Sequence, residues 1–413
     1  MKTTSNWPNA IAHIDCDAFY ASCEAARRPD LKGRPICVLS SQNAIVVAKS
    51  YDAKALGITT GMPVWEAKKL APQAVFLAAD FRYYGQLSHK LFSILRRYSP
   101  DIEVYSIDEG FMDMNGIRTL WRKPFRQLAD EIRQSVERET GITVSVGISV
   151  TRILAKLASE SNKPNGTTVI PGKRVERFLA DVVVSDIPGI GRNRAALLHK
   201  CNIYTALQFA HIEDGLMQRL LGRHGMILKQ ELSGISVMGL ETDPPLAKSI
   251  ARTASMGEVT TSSQLVAAHL SYHTMRLVSD LVAKQLFTRR IHVFLTLATF
   301  EKRGADIRLD LPSSSLKRIT AAVKEGFMKL FRAEESYRGC GIVATHISRA
   351  ASATPDLFGL MHEDDRQMDL MLTVNHINKK YGDRTISLAA VRKIKQKQNR
   401  PRFQYPLIVA SAL

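Results

Sequence analysis

The chain has 413 residues, with 57 Lys and Arg against 39 Asp and Glu, for a formal charge of +18. That length exceeds what one hydrophobic core serves, so roughly two to four domains are expected, and the positive excess suits a polyanion such as nucleic acid. A membrane span, a disulfide framework and a zinc site are all disfavoured: no apolar run reaches the ~18 residues of a spanning helix, no signal peptide follows Met1, and the five cysteines show no C-x-x-C spacing. The expected location is the cytoplasm, in association with the nucleoid.

In chain order, strands and helices alternate as far as about residue 174. Candidate strands are Ala10–Ile14, Pro35–Leu39, Ile45–Ala48, Glu103–Ile107, Phe111–Met114 and Thr143–Ile148, interleaved with helices over Tyr84–Tyr98 and Phe125–Glu139. Between 19 and 80 the elements shorten, and Ser50–Gly57 reads as a short helix closed by glycine, which suggests an inserted subdomain. From 175 to 243 the pattern is helical, opened by Val184-Ser185-Asp186-Ile187-Pro188-Gly189-Ile190-Gly191-Arg192 and broken at Leu221-Gly222-Arg223-His224-Gly225. The first of these is a helix-hairpin-helix signature: Gly189 and Gly191 let backbone approach a phosphate, whose charge the next helix N-terminus, Arg192 and Arg194 would meet. An ordinary αα-turn also uses glycine.

Residues 244–248, with Pro244 and Pro245, read as a linker. Beyond it, strands at Ser249–Val259, Arg290–Phe300, Asp306–Leu311 and Tyr337–Ile347 and helices at Ser263–Phe287 and Ser315–Phe331 follow the order βαββαβ. Arg252, Arg289, Arg290, Arg308 and Arg338 on its polar faces suit a sheet lying along phosphates, although charge runs are usually solvated faces. Residues 351–413 look less regular, and Lys379 to Arg402 hold nine Lys or Arg against Asp383 alone, a basic tail that either binds nucleic acid or is disordered.

Chemistry concentrates at Glu103-Val104-Tyr105-Ser106-Ile107-Asp108-Glu109-Gly110-Phe111-Met112-Asp113, taken together with Asp15. The glycine after Glu109 places the acid pair at a hairpin turn, where neighbouring side chains can converge as they cannot within a strand. Asp15 ends another apolar run and reaches the same place if the strands are neighbours. Crowded carboxylates raise each other's pKa unless cations share the site, and hard divalent ions suit oxygen ligands and phosphoryl or nucleotidyl transfer. Read singly, Asp15 or Asp17 is a helix N-cap and Asp108-Glu109 a solvated turn. Asp17 in particular has an N-cap as its simplest role.

The motifs Ile14-Asp15-Cys16-Asp17-Ala18-Phe19-Tyr20-Ala21-Ser22-Cys23-Glu24, Tyr51-Asp52-Ala53-Lys54, Gly61-Met62-Pro63, Tyr105-Ser106-Ile107-Asp108-Glu109, Val146-Gly147-Ile148-Ser149, Lys156 and Asn162-Lys163-Pro164-Asn165-Gly166 occur in this order. With them the chain resembles the Y-family, or translesion, DNA polymerases of the DinB and UmuC type. The resemblance implies an α+β right-hand polymerase: a ferredoxin-like palm at 1–18 and 81–174, fingers at 19–80, an all-helical thumb at 175–243, a βαββαβ little finger at 249–350 and a basic tail. It implies two Mg²⁺ ions on Asp15, Asp108, Glu109 and the Cys16 carbonyl, and contacts to the incoming deoxynucleotide from Phe19, Tyr20, Tyr51, Lys54 and Lys163, with Tyr20 as a steric gate against ribose.

By the same resemblance Ile45, Val47 and Gly61 cover the nascent base pair, and primer–template DNA lies against Gly189, Gly191, Arg192, Arg252, Arg289, Arg290 and Arg338. Lys54 stands where the family often has arginine, replacing a fork with a point charge. Ala21-Ser22-Cys23-Glu24 and Ala53-Lys54-Ala55-Leu56-Gly57 lean toward the UmuC branch, which leaves open a UmuD-like partner. Asp356-Leu357-Phe358 is similar to a sliding-clamp-binding peptide lacking its glutamine. Two rival readings are a non-catalytic family member that recruits repair factors and another palm enzyme such as a nucleotide cyclase.

Overall fold

A strand buried along its whole length, Ile11–Cys16, organises the first of two compact units, residues 1–244 and 245–413. The computed structural model describes residues 6–40, 43–243, 245–349, 360–382 and 385–394. In chain order the first unit runs β1 (Ile11–Cys16), α1 (Phe19–Arg27), β2 (Ile36–Leu39), β3 (Val46–Lys49), α2 (Tyr51–Ala55), α3 (Val64–Leu70), β4 (Val75–Ala78) and α4 (Phe81–Leu95). It continues with β5 (Ile102–Val104), β6 (Glu109–Asp113), α5 (Ile117–Trp121), α6 (Phe125–Thr140), β7 (Val144–Ser149), α7 (Arg152–Glu160) and β8 (Thr167–Val169). Four helices close it: α8 (Val175–Ala180), α9 (Arg192–Lys200), α10 (Ala206–Ala210) and α11 (Asp214–Leu232).

The main sheet has the order β5-β6-β1-β7-β8, with β1 antiparallel to both neighbours. Strand alternation sorts β1 into two faces. Ala12, Ile14 and Cys16 join Met112, Val144 and Val146 in a core completed by Leu91 and Leu95 of α4 and Leu128 and Ile132 of α6. Ile11 and His13 face α7, packing with Ala155 and Ser159 respectively. Gly147 makes that approach possible, since a Cβ there would lie 2.2 Å from both the Ala155 oxygen and the Ser159 nitrogen.

Residues 36–78 form a smaller sheet, β3-β2-β4; its parallel strand β4 and the short β8 of the main sheet were both absent from the expected strands. Gly57, in the left-handed region at φ 85°, follows α2 as expected. Gly222, at φ 62° and ψ −153°, kinks α11 at the expected break. The end of the unit is tied down by a buried ion pair. Arg152 meets Glu103 at 2.6 Å and also donates to the Gly239 carbonyl, while Glu103 accepts from the Glu241 amide.

In the second unit, β9 (Ser249–Thr260), α12 (Ser263–Ala283), β10 (Leu286–Leu297), β11 (Lys302–Ser313), α13 (Leu316–Leu330) and β12 (Tyr337–Arg349) give the βαββαβ order, with sheet order β11-β10-β12-β9. The helix ends earlier than its apolar run suggested, because Gln285 turns the chain at φ 53° and hands Leu286 and Phe287 to β10. A further correction concerns the tail: Leu360–Tyr381 is a helix, α14. Its Met371 and Val374 complete the core of this unit, and Asn375 bonds Ser279 of α12 at 2.7 Å. Among the described residues no helix is long and apolar enough to cross a membrane.

His273 of α12 is 2% exposed, and neither ring nitrogen has a hydrogen-bond partner among the described residues. Burial, reinforced by His269, Arg276 and Arg252, depresses its pKa to about 4. Arg252 itself is paired with Asp280 of the same helix. The unfolded chain therefore takes up a proton near pH 6.5 that the fold refuses. Stability of this unit is expected to be full above pH 6.5 and to fall between there and pH 4 by on the order of 3 kcal/mol. Urea unfolding of the full chain across that range checks this, and His273→Leu should flatten the dependence.

Candidate active site

The antiparallel register sets Asp15 of β1 opposite Glu109, the first residue of β6. The turn before β6 closes when the Tyr105 and Ser106 amides donate to the Glu109 carbonyl at 3.2 and 2.9 Å, and the Cys16 amide donates to the Asp108 carbonyl at 2.9 Å. The hairpin and the neighbouring strand are thus as the acid pair suggested. Ligand atoms of His13, Asp15 and Glu109 all lie within 4.8 Å of one another. Asp108, the residue before Glu109, does not join this trio, and its carboxylate accepts from the Ser106 hydroxyl.

Asp15 and Glu109 are each countered by a lysine. Lys163 meets Asp15 at 2.6 Å and Glu160 at 2.8 Å, and Lys156 meets Glu109. Burial pushes the Asp15 carboxyl up to about 7 against the pull of Lys163. Burial also opposes the charge on Glu109, but hydrogen bonds from His13 and Lys156 outweigh it and hold the group near 2. His13 is fully buried, with Nδ1 2.7 Å from the Ser159 hydroxyl and Nε2 3.0 Å from Glu109, and burial lowers its pKa. Two crowded carboxylates and an imidazole form a donor set that fits a divalent cation.

His13, Ser159 and Glu160 were missed by sequence reasoning. A signal existed for each: His13 lies two residues before Asp15 in a strand and must share its face, while Lys156, Ser159, Glu160 and Lys163 recur at helical spacing.

Other expected residues gather nearby. Tyr20 is half-buried, stacked on Tyr84 at 4.7 Å and edge-on to Phe81 at 5.7 Å, and the Asp108 charge acts with burial to raise its pKa. Tyr51 opens α2 after the capping Ser50, and burial together with the Asp17 charge pushes it up to about 12. Lys54 is exposed on the same helix. Phe19, 4% exposed, belongs to the core, so only its backbone is available to a ligand. Asp17 is not an N-cap. Ala18 occupies that position at φ 47° with no side-chain cap, and Asp17 instead accepts from Ser145 and from the Asn165 amide, both at 2.8 Å. Ile45 pairs with Pro63, Gly61 donates to the Val46 carbonyl at 2.8 Å from φ 89°, and Val47 is half-buried.

The helix-hairpin-helix signature folds as a 3-10 turn at Val184–Asp186, a bend at Gly189 and helix α9. Gly189 has φ 95°, and a Cβ on it would lie 2.8 Å from His224. Gly191 precedes α9 without a side-chain cap, and Arg192 and Arg194 are exposed, the latter bonding the Gly189 carbonyl.

In the second unit Arg290 and Arg308 are direct cross-strand partners, both exposed, an arrangement that repels unless an anion bridges it. Arg289 is exposed beside them. Arg252 is corrected: paired with Asp280, it lies on the helix-covered face rather than the open one. Arg338 stacks 3.6 Å over Phe300. Asp356-Leu357-Phe358 falls outside the described residues.

Residues 14–160 match the impB/mucB/samB family, and residues 247–357 match the C-terminal domain of the same family. The chain is 32% identical to DNA polymerase IV of Dehalococcoides mccartyi over 75% of its length and 79% of that protein's. With DNA polymerase IV of Neisseria meningitidis the identity is 33%, over 82% of this chain and 96% of the relative. A Y-family DNA polymerase chimera built on Dbh superposes with a TM-score of 0.71 at 23% identity, covering 82% of this chain and 99% of that one. DinB from Sulfolobus solfataricus superposes at 0.54 and 23% identity, over 81% and 98%. These relatives support a DinB-type protein, and the expected lean toward UmuC has no counterpart among them.

Replacing His13 with Ala removes the partner of Glu109 and of a buried hydroxyl, and a ring 4.6 Å from Phe111. A loss of about 2–4 kcal/mol in unfolding free energy is expected, read from urea titration.

Proposed function

Because the chain belongs to the impB/mucB/samB family, the Y-family DNA polymerases, we propose which of its residues carry out the family's reaction. The protein is a template-directed DNA polymerase of the translesion type. A primer 3′-hydroxyl attacks the α-phosphate of a deoxynucleoside triphosphate, a new phosphodiester forms and pyrophosphate leaves. The observation that carries the assignment of the site is the register that sets Asp15 against Glu109, the residue after Asp108, with their ligand atoms within 4.8 Å of each other.

In this reading Asp15, Asp108, Glu109 and the Cys16 carbonyl hold two Mg²⁺ ions, which when bound neutralise charge on the attacking and leaving oxygens. His13 and Lys156 hold the Glu109 carboxylate ionised and fixed in direction. Lys163, within reach of Asp15, and Lys54 meet the triphosphate, to which the Tyr51 hydroxyl donates. Tyr20, braced by Tyr84 and Phe81, lies under the sugar, and Ile45, Val47 and Gly61 roof the base pair. The segments 1–18 with 81–174, 19–80, 175–243 and 249–350 then serve as palm, fingers, thumb and little finger. The last two grip primer–template DNA through α9 and through Arg289, Arg290, Arg308 and Arg338. Asp356-Leu357-Phe358 is the segment for a sliding clamp.

Primer extension tests the site. Asp108→Ala with Glu109→Ala is expected to lower incorporation by at least about 10³-fold, in the range seen when charge-stabilising groups are removed, while DNA binding by gel shift is retained. Persistent synthesis in the double variant would refute the assignment. Tyr20→Ala should raise the ratio of ribonucleotide to deoxynucleotide incorporation by about tenfold or more, since the ring's clash with a 2′-hydroxyl is worth at least ~1.4 kcal/mol. Steady-state kinetics with paired substrates measures that ratio.

A further inference from the structure

Trp65 is 65% exposed, the most exposed aromatic residue among those described in the first unit. It stands in the first turn of α3, two residues beyond Pro63, whose backbone bridges Ile45, while the Val64 amide donates to the Ala44 carbonyl at 3.0 Å. Trp65 therefore lies on the helix that directly follows the Gly61–Pro63 turn, next to the strand end at Ile45 that is assigned to the roof of the base pair. The Lys69 ammonium lies 5.4 Å from its ring centroid, and the Lys68 ammonium lies 5.7 Å from that of Phe76. Both lysines are exposed, as is Glu66, the acid of this short helix. Leaving so much indole in water forgoes burial that a core position would supply, and no part of the mechanism above uses it.

We propose that Trp65, with Lys68 and Lys69, is a stacking platform for the unpaired template strand just beyond the templating base. The inference rests on the polymerase reading, and it identifies the ligand by chemistry. Beyond the base being copied, a template is single-stranded and must leave past the roof, presenting π faces and phosphates together. An aromatic ring flanked by ammonium groups matches both, and stacking tolerates any base. On this helix two exposed ammonium groups stand against the one carboxylate of Glu66, a local balance that favours an anionic ligand.

The test compares the full-length protein on two primer–templates, one with a single-nucleotide template overhang and one with an overhang of about ten. Stacking is worth about 1–3 kcal/mol per base, so Trp65→Ala should weaken binding of the long-overhang substrate about 5- to 150-fold while leaving the short one unchanged. Trp65→Phe should restore most of the loss, because a phenyl ring still stacks. Single-nucleotide incorporation on the short overhang should match wild type in both variants. Equal affinities for wild type and Trp65→Ala on the long overhang, or an equal loss on both substrates, would overturn the platform. Failure of the wild type to extend either primer would instead overturn the polymerase reading.

Discussion

Two carboxylates facing each other across adjacent strands, in a partly dry cavity, repel strongly, and the first unit is built to contain that repulsion. Asp15 and Glu109 are held opposite by the β1–β6 register and cannot swing apart without breaking the sheet. The counter-charges come from one place: Lys156 lies on α7 and Lys163 in the loop after it. The position of α7 therefore decides whether the acids can be ionised together. That helix lies close because Gly147 leaves no side chain beneath it, and it is pinned at its start by the Arg152–Glu103 pair.

Asp17 extends the same logic to the loop. Its two bonds, to Ser145 and to the Asn165 amide, fix the segment that carries Lys163 against β7. A lysine on a wandering loop would give a weak and screened interaction; one held at 2.6 Å in a half-buried site does not depend on a chance encounter. The ammonium also touches Glu160, so it has carboxylate partners on two elements. Asp17, which touches neither carboxylate, thus sets the geometry of the cation that does.

Much of this was legible from residue order, because the motif around Asp15 and the turn at Asp108-Glu109 are local, and the strands carrying them read as apolar runs. What was not legible depended on partners far along the chain. Asp17 looks like a helix cap because it precedes a helix, but capping is decided by backbone conformation, and Ala18 in the left-handed region takes the cap position. His13 reads as one residue of a buried strand until α7 brings Ser159 to its other nitrogen. Arg252 reads as a DNA-facing cation until Asp280 of α12 claims it on the covered face. The helix at Leu360–Tyr381 hid because its apolar residues do not fall on one stripe: Met368, Met371 and Val374 pack into the core while Leu370 and Leu372 stay exposed.

The two kinds of electrostatics in the chain answer differently to their surroundings. In the cavity of the first unit the decisive pairs are short and partly buried, far inside the Debye length of about 10 Å at ~0.1 M salt, so dissolved ions screen them little. In the second unit, Arg290 and Arg308 oppose each other across a strand pair at exposed positions, and a bridging anion or dissolved salt relieves their repulsion. Contacts of such arginines with a phosphate would carry no base information and would weaken as salt screens them. The exposed arginines thus form a charge pattern that answers to ionic strength, while the acids, lysines and histidine of the first unit form a geometry fixed by the sheet and by α7.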